Sequence, residues 1–210
     1  MPKTSTAGLP GRRAQAARND EAILAAAREV FLADPKAPIA AVAERAGVGI
    51  SALYRRFAGK EDMLRRLCHD GLLRYNAEAE AALAEPDGWQ ALTGFLDRVV
   101  DADVHSLTVH LAGTFTPTAE MSQEARRSGE LASQIVARAH DSGRLRPEAE
   151  VNDLGFLLEA CAAIRVPNGE RTKQLRRRYL ALLLDGLTVR DGELPGPPPG
   201  EAEMNWRWRR

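Results

Sequence analysis

Aromatic residues are scarce, at 5% of the 210-residue chain. That scarcity argues against a sheet-built fold, whose half-buried strands draw on aromatic and β-branched side chains. Cysteine is nearly absent too. Cys68 and Cys161 lie far apart within apolar helical patterns, with no C-x-x-C spacing, and read as small buried hydrophobes. No apolar run approaches the roughly 18 residues that a membrane span needs, and no signal peptide is visible, so a cytoplasmic location is expected. Excess charge is missing: 29 basic residues balance 29 acidic ones, which argues against nonspecific coating of nucleic acid. Catalytic patterns are missing as well, with no G-x-S-x-G, P-loop or H-E-x-x-H, and no enzyme activity is expected. His105 and His110 lie about 140° apart around a helix and cannot chelate one ion from it, so no metal or other cofactor is expected.

What the chain does have is alanine in abundance and apolar residues at helical spacing, which predict an all-α protein. The stretch from Ile39 to Lys60 carries the most information. Ile39, Val42, Ala43 and Ala46 form one buried stripe, Pro38 suits the first turn, and Gly47 follows the last periodic residue, where a left-handed cap is wanted. A second short helix is expected from about Ser51 to Phe57. Leu53 and Phe57 face inward there, leaving Ser51, Ala52, Tyr54, Arg55 and Arg56 outward. A helix, a glycine-bearing turn and a short helix showing a hydroxyl, a phenol and two guanidinium groups form the pattern of a helix-turn-helix. Such side chains suit phosphates and base edges, and arginine can pair bidentately with guanine. The charge agrees: residues 1–65 carry eleven basic against seven acidic side chains, a net +4, leaving −4 for the rest.

The run Ile39–Phe57, followed by Gly59-Lys-Glu-Asp-Met-Leu, resembles the DNA-binding domain of the tetracycline-repressor (TetR) family of transcriptional regulators. The Leu-Tyr-x-x-Phe core and the Lys-Glu-x-x-Leu opening of the next helix carry the resemblance, which covers roughly Arg18 to Leu67. It implies DNA contacts from Ile39, Ala40, Gly49, Ile50, Ser51, Ala52, Tyr54, Arg55, Arg56 and Lys60, with Tyr54 and Lys60 on phosphates. The chain departs from the family pattern at Gly49, where Ser or Thr is usual, and at Arg56, where His or Tyr is usual. The segment 143–147 and the closing Arg178–Leu187 resemble an actinobacterial-style C-terminal subgroup of the same family.

Along the chain, residues 1–17 read as a disordered basic arm, whose arginines either reach a minor groove or are simply solvated. Asn19 or Asp20 is expected to cap the first helix. Residues 18–66 form the helix-turn-helix domain, and 67–190 a helical ligand-binding and dimerisation domain. Residues 191–210, with a proline run and a Trp/Arg tip, read as a disordered tail. The last two helices, about 147–165 and 170–189, have wide apolar faces that a monomer covers poorly, so pairing with a second copy into a four-helix bundle is expected. A small-molecule effector would lie between the body helices, with Trp89, Phe95, His105, His110, Phe115, Phe156 and Cys161 as candidate contacts, alongside Thr108, Gln134 and Glu159. Each of these is equally a candidate for plain core. The functional expectation is a homodimeric repressor released from a palindromic DNA operator by a small effector. A constitutive architectural DNA binder without effector is the alternative.

Overall fold

The computed structural model describes residues 10–204 and 206, with side chains described from residue 19 onward. The fold is all-α: α1 (Pro10–Ala33), α2 (Ile39–Ala46), α3 (Ile50–Tyr54), α4 (Lys60–Leu83), α5 (Gly88–Asp101), α6 (Val104–Leu111), α7 (Ala119–Asp141), α8 (Val151–Ala163), α9 (Gly169–Leu187) and α10 (Glu201–Met204). The only extended pairing among the described residues is an isolated antiparallel bridge between Leu145 and Thr188. The chain forms two compact units, Met1–Leu67 and Cys68–Arg210.

In the first unit α1 packs against α2, and Ile23, Ala27 and Phe31 of α1, Val42 and Ala43 of α2, Leu53 and Phe57 around α3, and Met63 and Leu64 of α4 are all buried. α2 ends in a Schellman motif. Gly47 takes φ 66°, the Gly47 N–H donates to the Glu44 carbonyl at 3.1 Å, and the Val48 N–H donates to the Ala43 carbonyl at 3.0 Å. This turn ends one helix and starts the next within four residues. α1 corrects the expected arm over residues 10–17. It starts at Pro10 rather than at Asn19 or Asp20, because Pro10 suits a first turn and the alanines and arginines that follow are strong helix formers. Residues 1–9 lie outside the described residues.

The second unit is built around α5. Leu92, Phe95, Leu96 and Val99 are fully buried against Ile135 and Ala139 of α7, Leu154 and Leu158 of α8, and Leu180 of α9. The approach of α5 to α7 depends on Gly88, because a Cβ there would lie 1.9 Å from the Arg138 carbonyl oxygen. Arg138 reciprocates: its guanidinium donates to the Leu83 and Pro86 carbonyls at 2.6 and 3.1 Å and to the Glu85 carbonyl, holding the α4–α5 loop. A second tie is Arg176 of α9. It is buried, pairs with Asp103 at 2.5 Å and donates to the Ile164 and Ala162 carbonyls at 3.1 and 3.0 Å. Asp103 itself is held at φ 51° between α5 and α6. No described helix is long and apolar enough to cross a membrane.

The expected disordered tail is corrected over residues 191–204. The chain after α9 folds back, the Arg146 guanidinium donates to the Gly192 carbonyl at 2.9 Å, and α10 lies against α8. Trp206 is exposed, and Trp208 and the terminal arginines lie outside the described residues.

Candidate nucleic-acid interface and ligand cavity

α3 has only five residues and would not hold as an isolated helix. It is held because Leu53 and Phe57, both essentially fully buried, pin it into the first unit. That orientation leaves Gly49, Ile50, Ser51, Tyr54, Arg55 and Arg56 exposed and Ala52 half-buried. Ile50 is 39% and Tyr54 54% exposed, on the same short surface as the Ser51 hydroxyl and the Arg55 guanidinium.

The two arginines differ. Arg55 is exposed and enters no ion pair among the described residues. Arg56 lies 2.5 Å from an Asp20 carboxylate oxygen on α1, both side chains partly shielded. Half of the expected guanidinium pair is therefore committed within the unit.

Lys60 and Ile39 are also engaged within the unit. The Lys60 ammonium donates to the Pro35 carbonyl at 2.8 Å and the Ala37 carbonyl at 2.7 Å and sits 5.2 Å from the Phe31 ring centroid. Two of its three protons are used inside the unit, so it clamps the α1–α2 loop and keeps one proton for a further acceptor. Burial lowers its pKa, and the Asp34 carboxylate opposes that shift. The Ile39 side chain is buried, leaving only its backbone at the α2 N-terminus, beside exposed Ala40. Amides at such an end favour anions.

The second unit holds a cavity of about 210 Å³. Its walls come from α4 (Gly71, Leu72, Tyr75), α6 (Val104, His105, Thr108), α7 (Ser128, Gly129, Ala132) and α8 (Val151, Asn152, Leu154, Gly155, Leu158), with Met204 of α10. An adjoining cavity of about 460 Å³ shares Leu72, Thr108 and Gly129 and adds Cys68, Met121, Arg126 and Glu201. The walls are mainly aliphatic with a few hydrogen-bonding side chains, the composition of a small-molecule site. Tyr75 stands edge-on to Phe95 with ring centroids 5.0 Å apart, and burial raises its phenol pKa well above the usual range.

Of the expected ligand contacts, His105 lies on the cavity wall, as does Thr108. The others are placed differently. Phe95 and Trp89 are core, with the Arg144 guanidinium 5.4 Å over the Trp89 ring. Phe115 is buried outside the cavity wall, and His110 donates from Nδ1 to the Ser106 carbonyl at 2.8 Å. Cys161 faces a void of about 10 Å³ beside Arg176, and burial raises its thiol pKa while the guanidinium opposes that. Phe156 is half-buried on α8, Gln134 is exposed and Glu159 is half-buried. Tyr75, Ser128 and Asn152 are wall residues without a sequence signal: nothing in periodicity separates a polar residue on a core-facing stripe from one beside a hole.

The sequence of residues 23–67 matches the family described as bacterial regulatory proteins, tetR family, and residues 87–189 match the transcriptional regulator SbtR-like C-terminal domain. No curated protein matches the sequence. Among solved structures, the TetR-like regulator LfrR from Mycobacterium smegmatis, in complex with proflavine, is 24% identical with a TM-score of 0.63, the match covering 85% of this chain and 99% of that one. A TetR regulatory protein from Mycobacterium vanbaalenii is 25% identical with a TM-score of 0.56, covering 84% and 99%. A gamma-butyrolactone receptor described as ArpA-like is 19% identical with a TM-score of 0.64, covering 84% and 91%. The helix-turn-helix unit, the helical second unit and the two family matches that span them agree: the chain belongs to the TetR family of bacterial transcriptional regulators.

Proposed function

We propose that this regulator is a homodimeric repressor that binds a palindromic operator and is released by a small-molecule effector. In this reading residues 18–66 bind DNA, and residues 67–190 hold the effector and the dimer contact. The observation that carries it is the pairing, in one chain, of an exposed Ser51/Tyr54/Arg55 face with a mainly aliphatic cavity between helices of the second unit. Ser51, Tyr54 and Arg55 enter the major groove, Arg55 reads a base edge and Tyr54 holds a phosphate. The N-terminal backbone of α2 at Ile39 and Ala40 adds an anion contact. A related regulator in complex with proflavine and a related gamma-butyrolactone receptor support a small organic effector as the ligand class.

The dimer contact falls on α9. Tyr179, Leu182 and Leu183 are spaced along one face and are 48%, 56% and 37% exposed, which a second copy would cover. Two heads then meet half-sites about one helical turn apart. Effector binding favours a conformer whose heads no longer match that spacing, so the coupling equals the difference in effector affinity between the two states. The alternative, a constitutive architectural binder, needs no cavity, and the polar groups set in the cavity wall favour the ligand-responsive reading.

Footprinting on the DNA flanking the coding region tests the reading. A protected palindrome supports the repressor. Diffuse binding that collapses with salt favours the architectural alternative.

A further inference from the structure

The chain beyond residue 189 extends past the C-terminal family match, and it returns onto the second unit. Buried Arg146 directs the return, donating to the Gly186 carbonyl at 3.3 Å and to the Gly192 carbonyl at 2.9 Å, so one guanidinium brackets the end of α9. Gly192 and Gly196 take φ 99° and 80°, a region that side chains resist, and turn the chain back. The proline run then lies opposite Pro147, Glu150 and Asp153. Asn152 Nδ2 donates to the Pro199 carbonyl at 2.8 Å, and the Gly200 N–H donates to Glu203 Oε2 at 2.7 Å, which starts α10.

α10 delivers Met204 to Gly155. A Cβ at residue 155 would lie 2.1 Å from Met204 Cε and 3.1 Å from Sδ, so the end of the methionine lies directly against the bare glycine. Met204 thereby becomes part of the cavity wall, and Glu201 part of the adjoining one. Asn152 and Gly155, which hold the segment, are themselves cavity residues.

We propose that residues 190–204 are a strap across the effector cavity, with Met204 as the built-in occupant of its mouth, and that a mainly apolar, uncharged ligand enters by displacing it. The proposal rests on the reading of the cavity as the effector site. The ligand class follows from the wall, where no acidic or basic chain other than His105 occurs among the described residues of the smaller cavity. The strap is built to open. Residues 190–198 are exposed, so little apolar surface is lost on release, and methionine is a flexible, easily substituted filler. The strap sets a threshold: ligand affinity is reduced by the fraction of time the mouth is open.

The test uses the full chain, its Met204→Ala and Gly155→Ala variants, and the uncharged fluorophore N-phenyl-1-naphthylamine as probe. Alanine at 155 suits a helix, and it meets the end of the methionine head-on. A mouth closed about nine-tenths of the time predicts about tenfold tighter probe binding in both variants. In methyl-labelled methionine spectra the Met204 signal is dispersed in the unliganded wild type. It collapses to the narrow position of a mobile methionine in Gly155→Ala and on adding probe to the wild type. A mobile Met204 signal in the unliganded wild type overturns the strap. Equal probe affinity in all three chains overturns the competition while leaving the cavity as a ligand site. Absence of probe binding in all three overturns both the gate and the reading of the cavity.

Discussion

The Lys60 ammonium, at the first turn of α4, is hydrogen-bonded to the carbonyls of Pro35 and Ala37 that close the loop between α1 and α2. One of the two residues that the resemblance puts on phosphates thus also ties the start of α4 to the α1–α2 loop. Replacing it is expected to act on stability first. Lys60→Met keeps the stem over Phe31 but strands two carbonyls, and should cost about 1–3 kcal/mol of unfolding free energy. Arg55→Ala should leave stability within about 0.5 kcal/mol and cost about 1–3 kcal/mol of discrimination at one base pair. Denaturant melts and gel-shift titrations on operator and scrambled duplex separate the two. A Lys60→Met protein as stable as the wild type would show that the clamp contributes nothing, and equal losses on both duplexes would remove Arg55 from base reading.

Two glycines make a paired prediction. A Cβ at Gly88 would sit 1.9 Å from the Arg138 carbonyl oxygen and 2.4 Å from its carbon, both backbone atoms that can move only if α7 moves. Gly88→Ala should therefore destabilise by about 3 kcal/mol or more, read as a lower denaturant midpoint. Gly49 precedes α3 with φ −66°, and a Cβ there meets nothing within 4 Å. Gly49→Ser should be accepted with a gain of a few tenths of a kcal/mol, because a serine hydroxyl caps the helix better than glycine. On the reading of α3 as the recognition helix, it should also tighten binding to all duplexes by a phosphate contact. Unchanged affinity on every duplex would argue that position 49 does not face the backbone.

Asp97 provides a pH-dependent expectation. Burial raises its pKa, as does the neighbouring Asp101 carboxylate, against the pull of Arg177 and Arg98. A carboxyl whose folded pKa exceeds its unfolded value stabilises the fold in its protonated form. That contribution is complete below the unfolded value near 3.8 and is lost as pH rises through the folded pKa. At neutral pH the ionised group is a liability, so Asp97→Asn should raise the melting temperature at pH 7 and bring little or no gain at pH 3.5. The side chain is only partly shielded and its surface is largely open to solvent, so the gain stays below about 1 kcal/mol. A gain of equal size at both pH values would mean that the charge is not its source.

Legibility followed physical range. The helix-turn-helix could be read because its determinants are local: the stripe Val42/Ala43, the left-handed Gly47 and the inward pair Leu53/Phe57 each act within a few residues. The start of α1 was hidden because propensity, not a capping signal, sets it. The cavity was hidden for a different reason. It lies where side chains are small, at Gly71, Gly129, Ala132 and Gly155, whereas the aromatic residues that draw attention in a sequence, Trp89 and Phe95, fill the core. A hole depends on how four helices rotate against one another, which the periodicity of each helix alone does not encode. The same holds for the partners of Lys60 and Arg56, 23 residues and more away in the chain.

The face of α9 carries the last prediction. Leu182 is 56% exposed and Tyr179 48%, while Leu180 and Leu184 on the opposite side are buried in the core. The buried stripe already accounts for how α9 holds to its own unit, so the outward stripe is surplus to the monomer. Leu182→Glu places a charge on that outward face without touching the core, and the folded unit should melt within about 0.5 kcal/mol of the wild-type monomer value. If two copies pair through this face, burying unpaired carboxylates there costs several kcal/mol and sedimentation should show a monomer. Operator affinity should fall with it by roughly 10²-fold or more, because each head must then bind without the effective concentration its partner supplies. Affinity for an isolated half-site should not change. A Leu182→Glu protein that still sediments as a dimer would place the dimer contact elsewhere and leave the exposed stripe of α9 unexplained.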